Sequence, residues 1–247
     1  MSFKLEICSF DLASALTAQD AGAHRIELCA GPAEGGTTPG PGVIRAARER
    51  LHIDLYPIIR PRGGDFLYSD EEYDTMLKEV AWCKELGCNG VVIGILKVDG
   101  TIDKKRAARL VDLAYPLGVT FHRAFDWAAN PFEAMEDIIS IGCERILTSG
   151  QRPAAVEGAT MINELVRQAD DRIVIMPGSG VRSENILHLL EKTDANEFHT
   201  SARTKKPSQM EFINEAMKED QSVVTADGLE IEKILGILAA REHQYPA

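Results

Sequence analysis

The chain has 247 residues, 45% of them hydrophobic and 26% charged, with a formal net charge of -11. That is enough chain for a sizeable core, either one domain of α/β-barrel size or two smaller ones. The acidic balance argues against a general nucleic-acid binder and against adhesion to acidic membranes, so neither partner is expected.

Met1-Ser2-Phe3-Lys4 leads directly into a strand with no charged and apolar leader, so the expectation is a cytoplasmic chain without a signal peptide. No apolar run approaches the ~20 residues that a membrane span requires. Short β-branched runs then alternate with helical patterns. Strands are predicted near 5–10, 25–29, 54–60, 90–96, 118–124, 145–149, 173–177 and 196–201. Helices are predicted near 11–21, 42–50, 70–86, 102–114, 131–141, 155–169, 183–192 and 228–241. Ser69 with Glu72 reads as a capping box, Asn130-Pro131 as a helix start with Gly142 as its stop, and Ser183 as the cap of the seventh helix.

Eight strand–helix units predict a single-domain (β/α)8 TIM barrel over 1–247, with an extended loop after strand 8 and a C-terminal helix. A doubly wound open sheet is the alternative. The loops after strands 2, 3 and 8 are long. The last, about 203–226, is long enough to suggest function or oligomer contact, with a homodimer as the candidate assembly. The five cysteines, at 8, 29, 83, 88 and 143, form no CxxC and fit a reducing compartment better than a disulfide framework.

The strand ends carry polar residues where a plain core would have Val and Ile. Glu-x-Cys occurs twice, as Glu6-Ile7-Cys8 and Glu27-Leu28-Cys29. Residues two apart on a strand share a face, so each copy aims a carboxylate and a thiol the same way. Placing Phe121, Phe125, Phe198 and Ile59 outward turns His122, Asp126, Glu197, His199, Ser201 and Arg60 into the barrel. Buried charges need partners, and Arg60 is the expected cation for Glu6 and Glu27, with Arg62 and Arg123 as second candidates. Strand 6 ends in Thr148-Ser149. Gly178-Ser179-Gly180 ends strand 7 before a helix, a turn suited to an anion, with Arg182 and Arg203 nearby. Each of these has a plainer reading: a Glu–Arg pair as structural glue, His122 as a satisfied hydrogen-bonding residue, Cys29 as a small buried hydrophobe, and Gly-x-Gly as a tight turn.

The strings Arg25-Ile26-Glu27-Leu28-Cys29, Arg60-Pro61-Arg62-Gly63-Gly64-Asp65-Phe66 and Thr120-Phe121-His122-Arg123-Ala124-Phe125-Asp126, with Leu147-Thr148-Ser149-Gly150 and Glu197-Phe198-His199, closely resemble the CutC copper-homeostasis family. The resemblance runs from about 5 to 203 and leaves the tail after Lys205 unmatched. It implies a (β/α)8 barrel, a cytoplasmic location, a part in copper handling, and copper binding at Cys8 and Cys29.

Two functional expectations follow. The first is a copper-homeostasis protein binding Cu(I) through Cys8 and Cys29, since thiolates are soft donors. Barrel stagger decides whether those two cysteines can meet. The second is an enzyme acting on a phosphorylated or acidic small metabolite. Its acid/base groups would be Glu6, Glu27, His122 and Asp126. Its anion-holding residues would be Arg60, Arg62, Arg123, Thr148, Ser149, Gly178, Gly180, His199 and Ser201. Schiff-base chemistry is disfavoured, because Lys97 is the only lysine near a strand end and its parity points outward. A scaffold or regulator with a vestigial site is the third reading.

Overall fold

A computed structural model describes residues 3–244. Eight parallel strands form the barrel: β1 (Lys4–Ser9), β2 (Arg25–Leu28), β3 (Asp54–Pro57), β4 (Gly90–Ile93), β5 (Gly118–Phe121), β6 (Arg145–Thr148), β7 (Val174–Pro177) and β8 (Glu197–Thr200). They pair in the order β3-β2-β1-β8 and β4-β5-β6-β7. A bridge between Ile58 and Val92 joins β3 to β4, and β7 lies against β8 at the other seam. The helices are α1 (Leu12–Asp20), α2 (Pro41–Arg50), α3 (Asp70–Glu85), α4 (Lys104–Ala114), α5 (Pro131–Ser140), α6 (Ala159–Ala169), α7 (Ile186–Thr193) and α8 (Gly228–Gln244). The barrel, rather than the open sheet, is therefore the fold. No described helix is long and apolar enough to cross a membrane.

The apolar core is divided by strand parity. Outward residues such as Ile7, Ile26, Phe121, Phe125 and Phe198 join the helices in one large buried cluster. Cys8, Cys29, Tyr56, Ile58 and Val92 form a small separate cluster inside the barrel. Leu147 and Met176 are also buried inside, but the rest of the interior is largely polar, so the sheet–helix layer supplies most of the apolar burial.

Local signals act as expected at most helix ends. Ser69 and Glu72 exchange both hydrogen bonds of the capping box before α3. Asn130 caps α5, and Gly142 follows it at a φ of 88°. Ser183 does not cap α7: the N-cap is Asn185, and Ser183 donates from N and Oγ to Glu230 of α8. The chain is still turning through residues 183–185, so the hydroxyl serves a contact between helices instead.

The long loop after β8 also differs from expectation. Arg203–Lys206 (β9) and Val223–Ala226 (β10) pair as an antiparallel ribbon. The ribbon is anchored where Ala226 N donates to Ser14 Oγ and Asp227 N to Ala202 O. β9 is exposed along its whole length. It therefore lacks the apolar alternation by which a half-buried strand is read from sequence.

Candidate functional site

Barrel closure sets the heights of the inward residues. In the β1–β2 register Glu6 faces Arg25 and Cys8 faces Glu27. The two Glu-x-Cys copies are thus offset by two residues, and unlike groups lie side by side. Glu6 and Arg25 fall in the floor, Cys8 and Glu27 above them, and Cys29 higher again. Cys8 Sγ nevertheless lies 3.5 Å from Cys29 Sγ.

The floor is a buried charge network. Arg25 pairs through Nε with Glu6 and through Nη2 with Glu197 at 2.6 Å. Arg145 Nε reaches the same Glu197 oxygen at 2.6 Å, and its Nη1 reaches Glu144 at 2.9 Å and Thr120 Oγ1 at 3.1 Å. Tyr56 donates to Glu144 at 2.8 Å. Its ring occupies the space that a side chain on Gly90 would fill, and its hydroxyl that of a side chain on Gly118. Burial would raise the Glu6 carboxyl, but Arg25 and His199 hold it well below the usual range. The expectation that Arg60 neutralises Glu6 and Glu27 is therefore corrected. Arg25 serves Glu6 because β1–β2 pairing sets them opposite, whereas Arg60 lies higher, past the end of β3.

Above the floor, ligand atoms of Cys8, Glu27 and His199 all lie within 4.8 Å of one another. His199 Nδ1 is 2.8 Å from Glu6 Oε1, and its Nε2 is 3.6 Å from Glu27 Oε2. Burial would lower the imidazole pKa, but hydrogen bonds to Cys8 and Glu6 and the charge of Glu27 push it well above its usual value. The Cys29 contact, opposed by burial and helped by His199, brings Cys8 down to about 6. Burial and the Cys8 charge move Glu27 and Cys29 the other way. Of the two thiols, Cys8 is thus the more acidic.

A cavity of about 440 Å³ opens over this cluster at the C-terminal ends of the strands, where barrel sites are built. Cys8, Glu27, Arg60, His122, Arg123, Gly180, His199 and Ser201 line it. Cys29 lies behind Cys8. The other candidates are placed elsewhere. Glu6 is in the floor. Asp126 accepts from Arg123 Nε, Thr148 Oγ1, and the amides of Ser149 and Gln151, so it organises the β5–β6 loops with Thr148 and Ser149. Arg62 pairs with Asp65 and Glu72 outside the cavity. Gly178 packs beneath it, where a Cβ would lie 2.4 Å from Leu147 Cδ1.

Arg25, Arg145, Phe66 and Trp127 were not among the expected site residues. Phe66 and Trp127 line the cavity, and Arg25 and Arg145 hold its floor. Parity had the signal for the two arginines: Arg25 is two residues before Glu27, and Arg145 two before Leu147, so each shares an inward face. Phe66 sits in a loop and Trp127 ends a short 3-10 helix (Arg123–Trp127), where no strand or α-helix period applies.

The family model described as the CutC family matches residues 3–204. A family protein CutC of Parabacteroides distasonis is 50% identical over 224 residues, covering 90% of this chain and 92% of the relative. One from Citrobacter koseri is 45% identical, covering 96% and 98%. The crystal structure of a proposed copper homeostasis protein CutC from Streptococcus agalactiae superposes with a TM-score of 0.77 at 33% identity, covering 81% of this chain and 98% of that one. Phosphoribosyl anthranilate isomerase of Thermotoga maritima, at 13% identity and a TM-score of 0.62, covering 97% and 100%, shares the barrel fold alone. With a matched family model over most of its length and relatives at about half identity, the chain belongs to the CutC family.

Proposed function

We propose that the protein takes part in copper homeostasis by binding Cu(I) at Cys8 and Cys29, with His199 beside Cys8 as a further donor. The observation that carries this reading is the 3.5 Å separation of the two sulfurs. Two thiolates on one tetrahedral ion, each bond roughly 2.3 Å as for zinc, stand about 3.7 Å apart. The pair is therefore spaced for one shared ion. Thiolate and imidazole donors favour soft and borderline metals over hard cations. Glu6, fixed by Arg25, is placed to orient His199 through Nδ1 while Nε2 faces the cluster, the usual support for a metal-bound imidazole. The Streptococcus agalactiae relative is described as a copper homeostasis protein, which supports the same assignment.

The test is an anaerobic Cu(I) titration against a chromogenic chelator, on wild type and on the Cys8→Ser/Cys29→Ser double variant, with Zn(II) in parallel. About one Cu(I) per chain in wild type, held more tightly than Zn(II) and lost in the double variant, is the expected result. Equal Cu(I) affinity in the two proteins refutes the assignment.

A second reading, an enzyme acting on an acidic or phosphorylated small molecule, is favoured by one observation. Buried Arg60 lines the cavity and, among the described residues, pairs with no carboxylate.

A further inference from the structure

Arg60 is 5% exposed. Its Nη1 donates to Glu34 O at 2.7 Å and Gly36 O at 2.8 Å, and its Nη2 to Gly64 O at 2.9 Å. Those carbonyls fix the guanidinium plane but leave its positive charge uncancelled. Its Nε–H is buried without a well-formed hydrogen bond among the described residues, and the equally unpaired Tyr68 hydroxyl lies beside the guanidinium. Such a group costs free energy unless something supplies the missing acceptor.

His122 is the same case on the neighbouring wall. It is 3% exposed. Its Nδ1 accepts from Ala124 N at 3.1 Å, which leaves the ring hydrogen on Nε2. That Nε2 is also buried without a partner among the described residues. Burial, reinforced by the charge of Arg60, brings the imidazole pKa down to about 3. His122 is therefore a neutral, fixed donor. The ring is admitted only because residue 94 is glycine: a Cβ there would lie 2.2 Å from His122 Cε1. Phe66 braces both groups, with the Arg60 guanidinium 5.0 Å and the His122 ring 5.1 Å from its ring centre.

We propose that the cavity holds a small organic or inorganic oxyanion, a carboxylate or phosphate group, that accepts from His122 Nε2–H beside the Arg60 guanidinium. An orphaned donor beside a guanidinium that no carboxylate cancels calls for an acceptor that carries negative charge. The wider cavity agrees. Arg123, Arg182 and Arg203 line it with Arg60, against the two carboxylates Glu27 and Glu34. Glu27 is engaged with His199 and Cys8. A chain of net charge -11 thus keeps a cationic mouth, which attracts anions to one place. The cavity volume lies in the ordinary range for a small-molecule site. This inference deepens the second reading above and is independent of copper.

The test uses the full chain with inorganic phosphate, pyruvate and citrate as probes. Binding is followed by calorimetry and by imidazole 15N spectra of the wild type, in which His122 Nε2 reports directly. The expected result is saturable binding of at least one probe. The Nε2–H resonance of His122 should move along the same isotherm. Affinity should fall at least about tenfold in His122→Phe and in Arg60→Lys, as for the loss of a charge-assisted hydrogen bond. Binding should persist in the Cys8→Ser/Cys29→Ser variant, which separates this site from the copper centre. No saturable binding of any probe overturns the proposal. So does binding that leaves the His122 resonance unmoved, a reading that does not depend on either variant folding.

Discussion

Replacing Arg25 by methionine tests the charge network beneath the cavity. Arg25 is 2% exposed and stands between Glu6, at 1%, and Glu197, at 6%. It donates to both carboxylates and lies 5.3 Å from the centre of the Tyr56 ring. Methionine keeps most of the unbranched stem and adapts to irregular space, so the change reads mainly as loss of charge. Removing one partner of a buried ion pair typically costs about 3–5 kcal/mol. Two charge-assisted hydrogen bonds at about 1.5–3 kcal/mol each give about 3–6 kcal/mol, an overlapping range. Arg145 still reaches Glu197, and His199 still reaches Glu6, which places the expected loss near the lower end, about 3 kcal/mol.

The loss should also depend on pH. In wild type the folded Glu6 carboxyl lies below its ordinary value of 4.5. Its contribution is therefore complete above that pH and is lost as pH falls toward the folded value. Without Arg25, burial dominates and raises the carboxyl, so the variant gains relative stability by taking up a proton as pH falls. Urea unfolding followed by near-UV circular dichroism should show a larger deficit at about pH 8 than at about pH 5. A deficit below about 1 kcal/mol, or one that does not shrink at lower pH, refutes the view that Arg25 neutralises the floor.

Two further outcomes follow from the site. Iodoacetamide labelling of the metal-free protein, read by peptide mass mapping, should place the midpoint for Cys8 near pH 6, with the rate rising to a plateau above it, because only the thiolate reacts. Cys143, pushed up to about 12 by burial and Glu144, should stay unlabelled across that range; a Cys8 midpoint near the ordinary thiol value of 9.0 contradicts the lowered Cys8 pKa. Gly94→Ala should displace His122, since the added methyl would lie 2.3 Å from Nδ1. The expected costs are about 1–3 kcal/mol of stability by thermal melting and most of the oxyanion affinity by calorimetry; an unchanged 15N signature for His122 would show that the wall can yield.

The sequence by itself determined the barrel and the inward faces of its strands. Strand and helix periods are local, and the outward Phe121, Phe125 and Phe198 left His122, His199 and Glu197 inside wherever the strands were placed. Capping chemistry is local too, which is why Ser69 and Asn130 were legible. Partnership was not. Which inward groups lie side by side depends on the stagger of the closed barrel, a property of all eight strands together. That stagger set Glu6 against Arg25 rather than Arg60 and Cys8 against Glu27, yet still brought the sulfurs of Cys8 and Cys29 to 3.5 Å. It also left Arg60 and His122, whose neighbours come from other segments of the chain, with donors that make no well-formed hydrogen bond to any described residue. Only the tertiary structure could decide this, because hydrogen-bond satisfaction is a matter of distance in space, to which separation along the chain gives no guide.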